Sequence, residues 1–152
     1  MSAQPRWISK AAALAIHEQL LAEHGGAAGL IDEGRLDAAL SSPRNHFAHG
    51  EKDVFRLAAA YAHALTRDHP FRDGNKRVAL TLAGVFLELN GFRLEAPESD
   101  AAGATLALST RGIDEKGFAA WLRDSSSKIP VPRSRKRKEG GRGRRAPQRP
   151  KR

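Results

Sequence analysis

Hydrophobic side chains recur with the three- and four-residue spacing of an α-helix through most of residues 9–123. The predicted helices run from Ser9 to the Gly25-Gly26 pair, from Asp32 to just before Pro43, and over residues 53–66, 74–89, 100–109 and 114–123. Ser9 and Asp32 are good N-cap residues, whereas the residue before a proline disfavours helical backbone angles. Residues 92–94 form at most one short extended piece. The pattern therefore predicts an all-α fold, a compact helical bundle.

The fourth predicted helix, residues 74–89, is apolar on nearly every side. It ends at Asn90-Gly91, which is a favourable C-terminal cap. A helix that is hydrophobic all round is buried, so we expect this one at the centre of the bundle.

The net charge of +9 is concentrated near the C-terminal end of the sequence. Residues 129–152 contain 11 of the 26 Lys and Arg residues and one of the 17 acids, Glu139, which gives this segment +10 and leaves −1 for residues 1–128. The segment has almost no side chain to bury, so burial cannot offset the entropy of ordering it. We predict a folded domain over residues 1–128 and a basic disordered tail over 129–152. The tail is either a solubilising or incidental segment or the one region through which nucleic acid would be contacted.

The absence of cysteine excludes disulfides, a thiol nucleophile and cysteine-ligated zinc. The first apolar stretch, residues 11–16, is too short for a signal peptide core followed by a cleavage site. No stretch approaches the roughly 18 to 20 apolar residues that span a membrane. We expect a cytoplasmic protein without membrane contact.

The segment HPFRDGNKR, residues 69–77, lies between two predicted helices and opens the central one. A helix N-terminus offers unpaired backbone N–H groups and a positive dipole end, so phosphate oxygens are predicted to bind at Gly74, Asn75, Lys76 and Arg77. Asp73 supplies a hard carboxylate that suits Mg²⁺ held jointly with phosphates. His69 is able to accept a proton near neutral pH. Together these residues predict a site for phosphoryl or nucleotidyl transfer.

Taken singly, these residues have ordinary structural explanations. A histidine beside a proline is commonly a helix-end residue, Gly-Asn is a common turn, and Phe71 is expected to fix the loop in the core. An alternative of another class is a basic nucleic-acid-binding protein with a vestigial loop. The near-neutral body argues against it, because a DNA-binding domain normally carries its cations on a folded face. The conjunction within nine residues favours an enzyme.

The same segment resembles the HxFx(D/E)GN motif of the Fic superfamily, and its Lys-Arg continuation resembles the death-on-curing (Doc) branch. The resemblance covers roughly residues 7–124, including residues 29–32, 36–43 and 86–91. It implies a helical Fic/Doc fold and a toxin of a toxin–antitoxin pair. It further implies that His69 deprotonates a target hydroxyl, that Asp73 helps to hold Mg²⁺, and that residues 74–77 bind the phosphates of ATP.

Two positions depart from the AMP-transferring Fic pattern, which continues as GNGRxxR. Lys76 replaces the second glycine and Leu80 replaces the final arginine. The resemblance then implies an ATP bound in the reverse sense, with its terminal phosphate transferred to a Ser or Thr hydroxyl and elongation factor Tu as the target. AMP transfer is the alternative. No Ser or Thr has the spacing of the inhibitory [ST]xxxE[GN] helix, so we expect restraint by an antitoxin protein in trans.

Overall fold

The computed structural model describes residues 4–130, which form six helices and one small sheet. The elements, in chain order, are α1 (Lys10–His24), α2 (Glu33–Ala48), α3 (Val54–Asp68), α4 (Asn75–Leu89), β1 (Phe92–Leu94), α5 (Glu98–Ser109), α6 (Glu115–Asp124) and β2 (Ser126–Lys128). The predicted helical bundle is confirmed. Within the described range, every helix is too short or too polar to cross a bilayer. Nearly all of the predicted tail, from residue 131 onward, lies outside the described residues.

Four helices begin at a side-chain cap that the sequence supplies. Ser9 Oγ accepts a hydrogen bond from Ala12 N at the start of α1, and Asp32 Oδ1 accepts one from Arg35 N at the start of α2. Asp53 and Asp114 cap α3 and α6 in the same way. Each cap satisfies one of the backbone donors that a helix N-terminus leaves without a partner.

The core lies around α3 and α4, which pack against each other along their length. Helix α4 is largely buried, with Val78, Leu82 and Phe86 fully covered. It is not the most central helix, however, because α3 packs against α2, α4, α5 and α6 and is buried more completely. Tyr61 at its middle is buried, and its hydroxyl accepts a hydrogen bond from Ile8 N. Burial raises the pKa of this phenol.

The prediction that the second helix stops before Pro43 is wrong. Helix α2 continues through the proline to Ala48. A proline inside a helix removes one backbone hydrogen bond and costs about 3 kcal/mol. Pro43 is fully buried on the same face as Leu36 and Leu40, so the apolar surface that this face covers offsets that cost.

The short extended piece expected at residues 92–94 is strand β1, but it pairs with a second strand that the pattern did not predict. Strand β1 runs antiparallel to β2, with Phe92 opposite Lys128 and Leu94 opposite Ser126. Ile129 N extends the pairing by donating to Gly91 O. The Ser-Ser-Lys sequence of β2 has no alternating apolar pattern, so its extended form depends on its partner strand.

Candidate active site

The loop that joins α3 to α4 begins with a histidine in a strained backbone conformation. His69 caps the C-terminus of α3 with φ 47° and ψ 61°, in the left-handed region. Pro70 follows, and a residue before proline avoids the helical region, so α3 ends here. The left-handed region costs a non-glycine residue roughly 1–2 kcal/mol. This conformation leaves the His69 side chain exposed on the wall of a cleft.

The loop ends at Gly74, the N-cap of α4, which has φ 82°. No side chain caps this helix, and its first helical bond runs from Val78 N to Gly74 O. The backbone N–H groups of Asn75, Lys76 and Arg77 precede that bond. They therefore form a set of donors at the positive end of the helix dipole, which is suited to an anion.

His69 and the N-terminus of α4 both line one cleft of about 620 Å³ between α4 and α5. Its wall contains all six predicted site residues: His69, Asp73, Gly74, Asn75, Lys76 and Arg77. Arg72 and Leu80 lie on the same side, and α5 forms the opposite wall with Glu98, Ala102, Thr105 and Leu106. The fold thus brings together every residue that the sequence singled out for chemistry.

The electrostatic character of the cleft is set by its cations. Lys76 and Arg77 are exposed in the first turn of α4, and Arg72 precedes them in the loop. Within residues 4–130, none of the three forms an ion pair. Their charges exceed those of the two carboxylates on the wall, Asp73 and Glu98. The cleft is therefore suited to a polyanion such as a triphosphate.

The side chain of Asn75, a residue predicted to bind phosphate, forms hydrogen bonds within the loop. It is buried, its Oδ1 accepts from Phe71 N at 3.0 Å, and its Nδ2 donates to Phe71 O at 2.8 Å. One amide hydrogen and the backbone N–H of Asn75 remain for a ligand. The side chain chiefly closes the loop on itself and holds Phe71 in the core.

Asp73 is held at both carboxylate oxygens by backbone groups. Gly74 N donates to Oδ1 at 2.8 Å, and Ala27 N donates to Oδ2 at 3.2 Å. Each oxygen keeps at least one lone pair after these bonds, and Asp73 lines the cleft. Among the described residues no three His, Asp or Glu side chains gather as a metal site. Mg²⁺ commonly takes one or two carboxylates together with substrate phosphates, and this donor set fits that arrangement.

The connection between α1 and α2 supports the loop from the side. Ile31 N donates to Pro70 O at 2.7 Å, and Arg72 N donates to Gly29 O at 2.9 Å, forming a short antiparallel bridge. Gly26 lies so close to the loop that a Cβ there would be 2.8 Å from Asp73 Oδ2. Because its φ is also 122°, which L side chains rarely adopt, position 26 favours glycine.

Sequence reasoning missed the residues that other elements bring to the site. Glu98 and Thr105 reach the cleft only because α5 crosses near the start of α4. His17 lies beneath the loop, with its ring stacked on Phe71 at 3.8 Å between centroids. A lone histidine within α1 gives no signal by itself, since nothing local tells which residue it will contact.

Comparison with known proteins adds independent information. Residues 7–87, more than half of the chain, match the Fic/DOC family. "Protein kinase doc" of Escherichia phage P1 is 35% identical over 120 residues, which cover 78% of this chain and 94% of that protein. "Toxin Doc" of Mycolicibacterium smegmatis is 38% identical over 103 residues, covering 64% of this chain and 78% of that protein.

Proposed function

Because the chain belongs to the Fic/DOC family, we propose that it is a toxin that transfers the terminal phosphate of ATP to a Ser or Thr hydroxyl of a target protein. The observation that carries the proposal is one cleft lined by His69, Asp73 and the uncapped first turn of α4. The relative from phage P1, which bears the name of a protein kinase, aligns along nearly its whole length. The proposed target is elongation factor Tu, and the proposed place of action is the cytoplasm.

In the proposed reaction His69 is the general base. Its imidazole takes the proton from the target hydroxyl while the hydroxyl oxygen bonds to the γ-phosphorus and the bond from that phosphorus to ADP breaks. The backbone N–H groups at the start of α4, with Lys76 and Arg77, stabilise the charge on the transferred phosphate. An exposed imidazole at the edge of the cleft is accessible to a protein substrate.

Asp73 is the proposed residue for holding Mg²⁺, together with phosphate oxygens. The ion would neutralise charge on the phosphates when bound. The two backbone donors from Gly74 and Ala27 fix the carboxylate in one orientation. Asp73 therefore offers its remaining lone pairs in a fixed direction.

Two residues favour phosphate transfer over AMP transfer. Leu80, half-buried on the cleft wall, puts an apolar side chain where the AMP-transferring pattern has an arginine. Lys76 puts a cation in the first turn of α4 where that pattern has a glycine. Lys76 and Arg77 line the same cleft as His69, and the phosphate held by this turn is the one proposed to be transferred.

Labelled ATP separates the two reactions. With purified target protein we expect label from the γ position to appear on the target and label from the α position to leave with ADP. The double variant Lys76→Gly, Leu80→Arg should lose most γ transfer. It removes the Lys76 contact to the transferred phosphate and introduces the arginine of the AMP-transferring pattern at position 80. Target carrying α label from the unmodified enzyme would contradict phosphate transfer and support AMP transfer.

Restraint of the toxin is proposed to come from a separate antitoxin protein. The sequence has no inhibitory [ST]xxxE[GN] helix, and one relative is named as a toxin. Co-expression with the product of an adjacent small gene should therefore restore growth that this chain alone arrests.

Residues 131–152 are proposed to be dispensable for the reaction. A chain ending at Pro130 keeps the bond from Ile129 N to Gly91 O and all of β2, so its melting temperature and ATP-dependent transfer should match those of the full chain. Any salt-sensitive retention on nucleic acid should disappear with the cations. Loss of cooperative unfolding in the shortened chain would show that the removed segment is structural.

A further inference from the structure

His17 is buried in the middle of α1, although histidine is usually at least partly exposed. Only 6% of its surface is accessible. Its ring lies on that of Phe71 with 3.8 Å between centroids and 12° between planes. It also packs 3.8 Å from the position that a Cβ on Gly74 would occupy. The side chain therefore fills the space beneath the loop that carries the candidate site.

The polar edge of this ring makes one specific contact with the loop. Nε2 lies 2.9 Å from the carbonyl oxygen of Asp73. A carbonyl oxygen only accepts, so Nε2 carries the hydrogen and donates. The ring therefore performs two separable tasks, an apolar stack on Phe71 and a hydrogen bond to Asp73.

The hydrogen bond acts on the peptide that joins Asp73 to Gly74. This peptide sets where α4 begins, because Gly74 is its N-cap, and it sets where the Asp73 side chain leaves the backbone. The carboxylate is already fixed by Gly74 N and Ala27 N. With His17 on the carbonyl, donors from α1, from the α1–α2 connection and from the loop hold a single residue.

We propose that His17 is a positioning residue, which orients the Asp73 carboxylate and the first turn of α4 by donating to the Asp73 carbonyl oxygen. The expected effect of His17 on the transfer rate rests on the proposed function. Its expected effect on the order of the loop does not. His17 does not itself line the cleft, so it acts on the site through its contact with Asp73.

Two substitutions separate the hydrogen bond from the stack. His17→Phe keeps an aromatic ring on Phe71 and removes the donor, whereas His17→Gln removes the ring and keeps an N–H near the position of Nε2. We expect kcat for transfer to fall about 10- to 100-fold in His17→Phe, because small displacements of a site are costly. In His17→Gln we expect a loss within about fivefold. His24→Gln, at the exposed end of the same helix, is the matched control.

Hydrogen exchange of the Gly74 amide, measured by NMR without nucleotide, gives a readout independent of activity. This amide donates to Asp73 Oδ1. Its exchange should be about 5- to 10-fold faster in His17→Phe and close to wild type in His17→Gln. If the wild-type protein transferred no phosphate, the proposed function would fail, while the exchange rates would still decide the role of His17.

Several outcomes would overturn the positioning role. One is wild-type exchange and transfer in a folded His17→Phe protein. Another is a smaller loss in His17→Phe than in His17→Gln, which would assign His17 to packing on Phe71 alone. If His17→Phe does not fold, His17→Gln remains decisive, because a folded His17→Gln protein with a fast-exchanging Gly74 amide contradicts the proposal.

Discussion

Replacing His69 with alanine is expected to slow phosphate transfer by about 10²- to 10⁴-fold, the usual effect of removing a general base. The same change should relieve the growth arrest that expression of the unmodified chain causes. Stability should change little, because the imidazole is exposed and no hydrogen bond of its side chain contributes to the described fold. The measurement is the rate of γ-label transfer to the target together with thermal unfolding.

Two control variants accompany this prediction. The first takes account of the left-handed backbone at position 69. His69→Asn retains a residue type that tolerates left-handed angles but has no base, so it should be as inactive as alanine. His49→Ala changes another exposed histidine at a helix C-cap, outside the cleft, and should remain active. Undiminished transfer by a folded His69→Ala protein would rule out the proposed base.

Asn75→Ala is expected to have the largest effect on stability. It removes two hydrogen bonds at once and leaves the N–H and C=O groups of Phe71 buried without their partners. Each buried group left unsatisfied costs about 1–3 kcal/mol, so for two groups we expect a loss of about 2–6 kcal/mol in the free energy of unfolding. Transfer should also fall sharply, because the loop that carries His69 and Asp73 loses its closure. Chemical denaturation and the γ-label assay measure the two effects.

Asn45→Ala is the matched control for this change. Asn45 is exposed on α2, and its bonds to the surrounding chain run through its backbone oxygen. Its substitution should alter stability by less than about 0.5 kcal/mol. An Asn75→Ala protein as stable as this control would show that the loop does not depend on the Asn75 amide.

Local signals in the sequence were sufficient to predict most helix boundaries. Ser9 and Asp32 cap the helices that they were predicted to cap, and the largely apolar α4 is packed in the core beside α3. Pro43 misled the prediction because its local preference was outweighed by burial of the apolar face on which it lies. Strand β2 could not be predicted, since Ser126–Lys128 becomes extended only through pairing with β1.

For the candidate site, proximity in sequence was enough to gather residues 69–77. What it could not give was the direction of each side chain. The Asn75 amide, for example, bonds both backbone groups of Phe71 and closes the loop, which the local sequence does not indicate. His17 and Glu98 lie far from the loop in sequence, so only the packing of α1 and α5 against α4 reveals them.

The closed loop has a thermodynamic consequence for any nucleotide that binds to it. Fixing a flexible backbone costs about 1–2 kcal/mol of conformational entropy per residue. Here that entropy is lost when the chain folds, because Asn75 already joins the loop to itself and Ala27 already holds Asp73. Binding then orders little of the protein, so its heat-capacity change should be small and its strength should vary steeply with ionic strength. The loop therefore already has its ordered, charged conformation before a ligand binds.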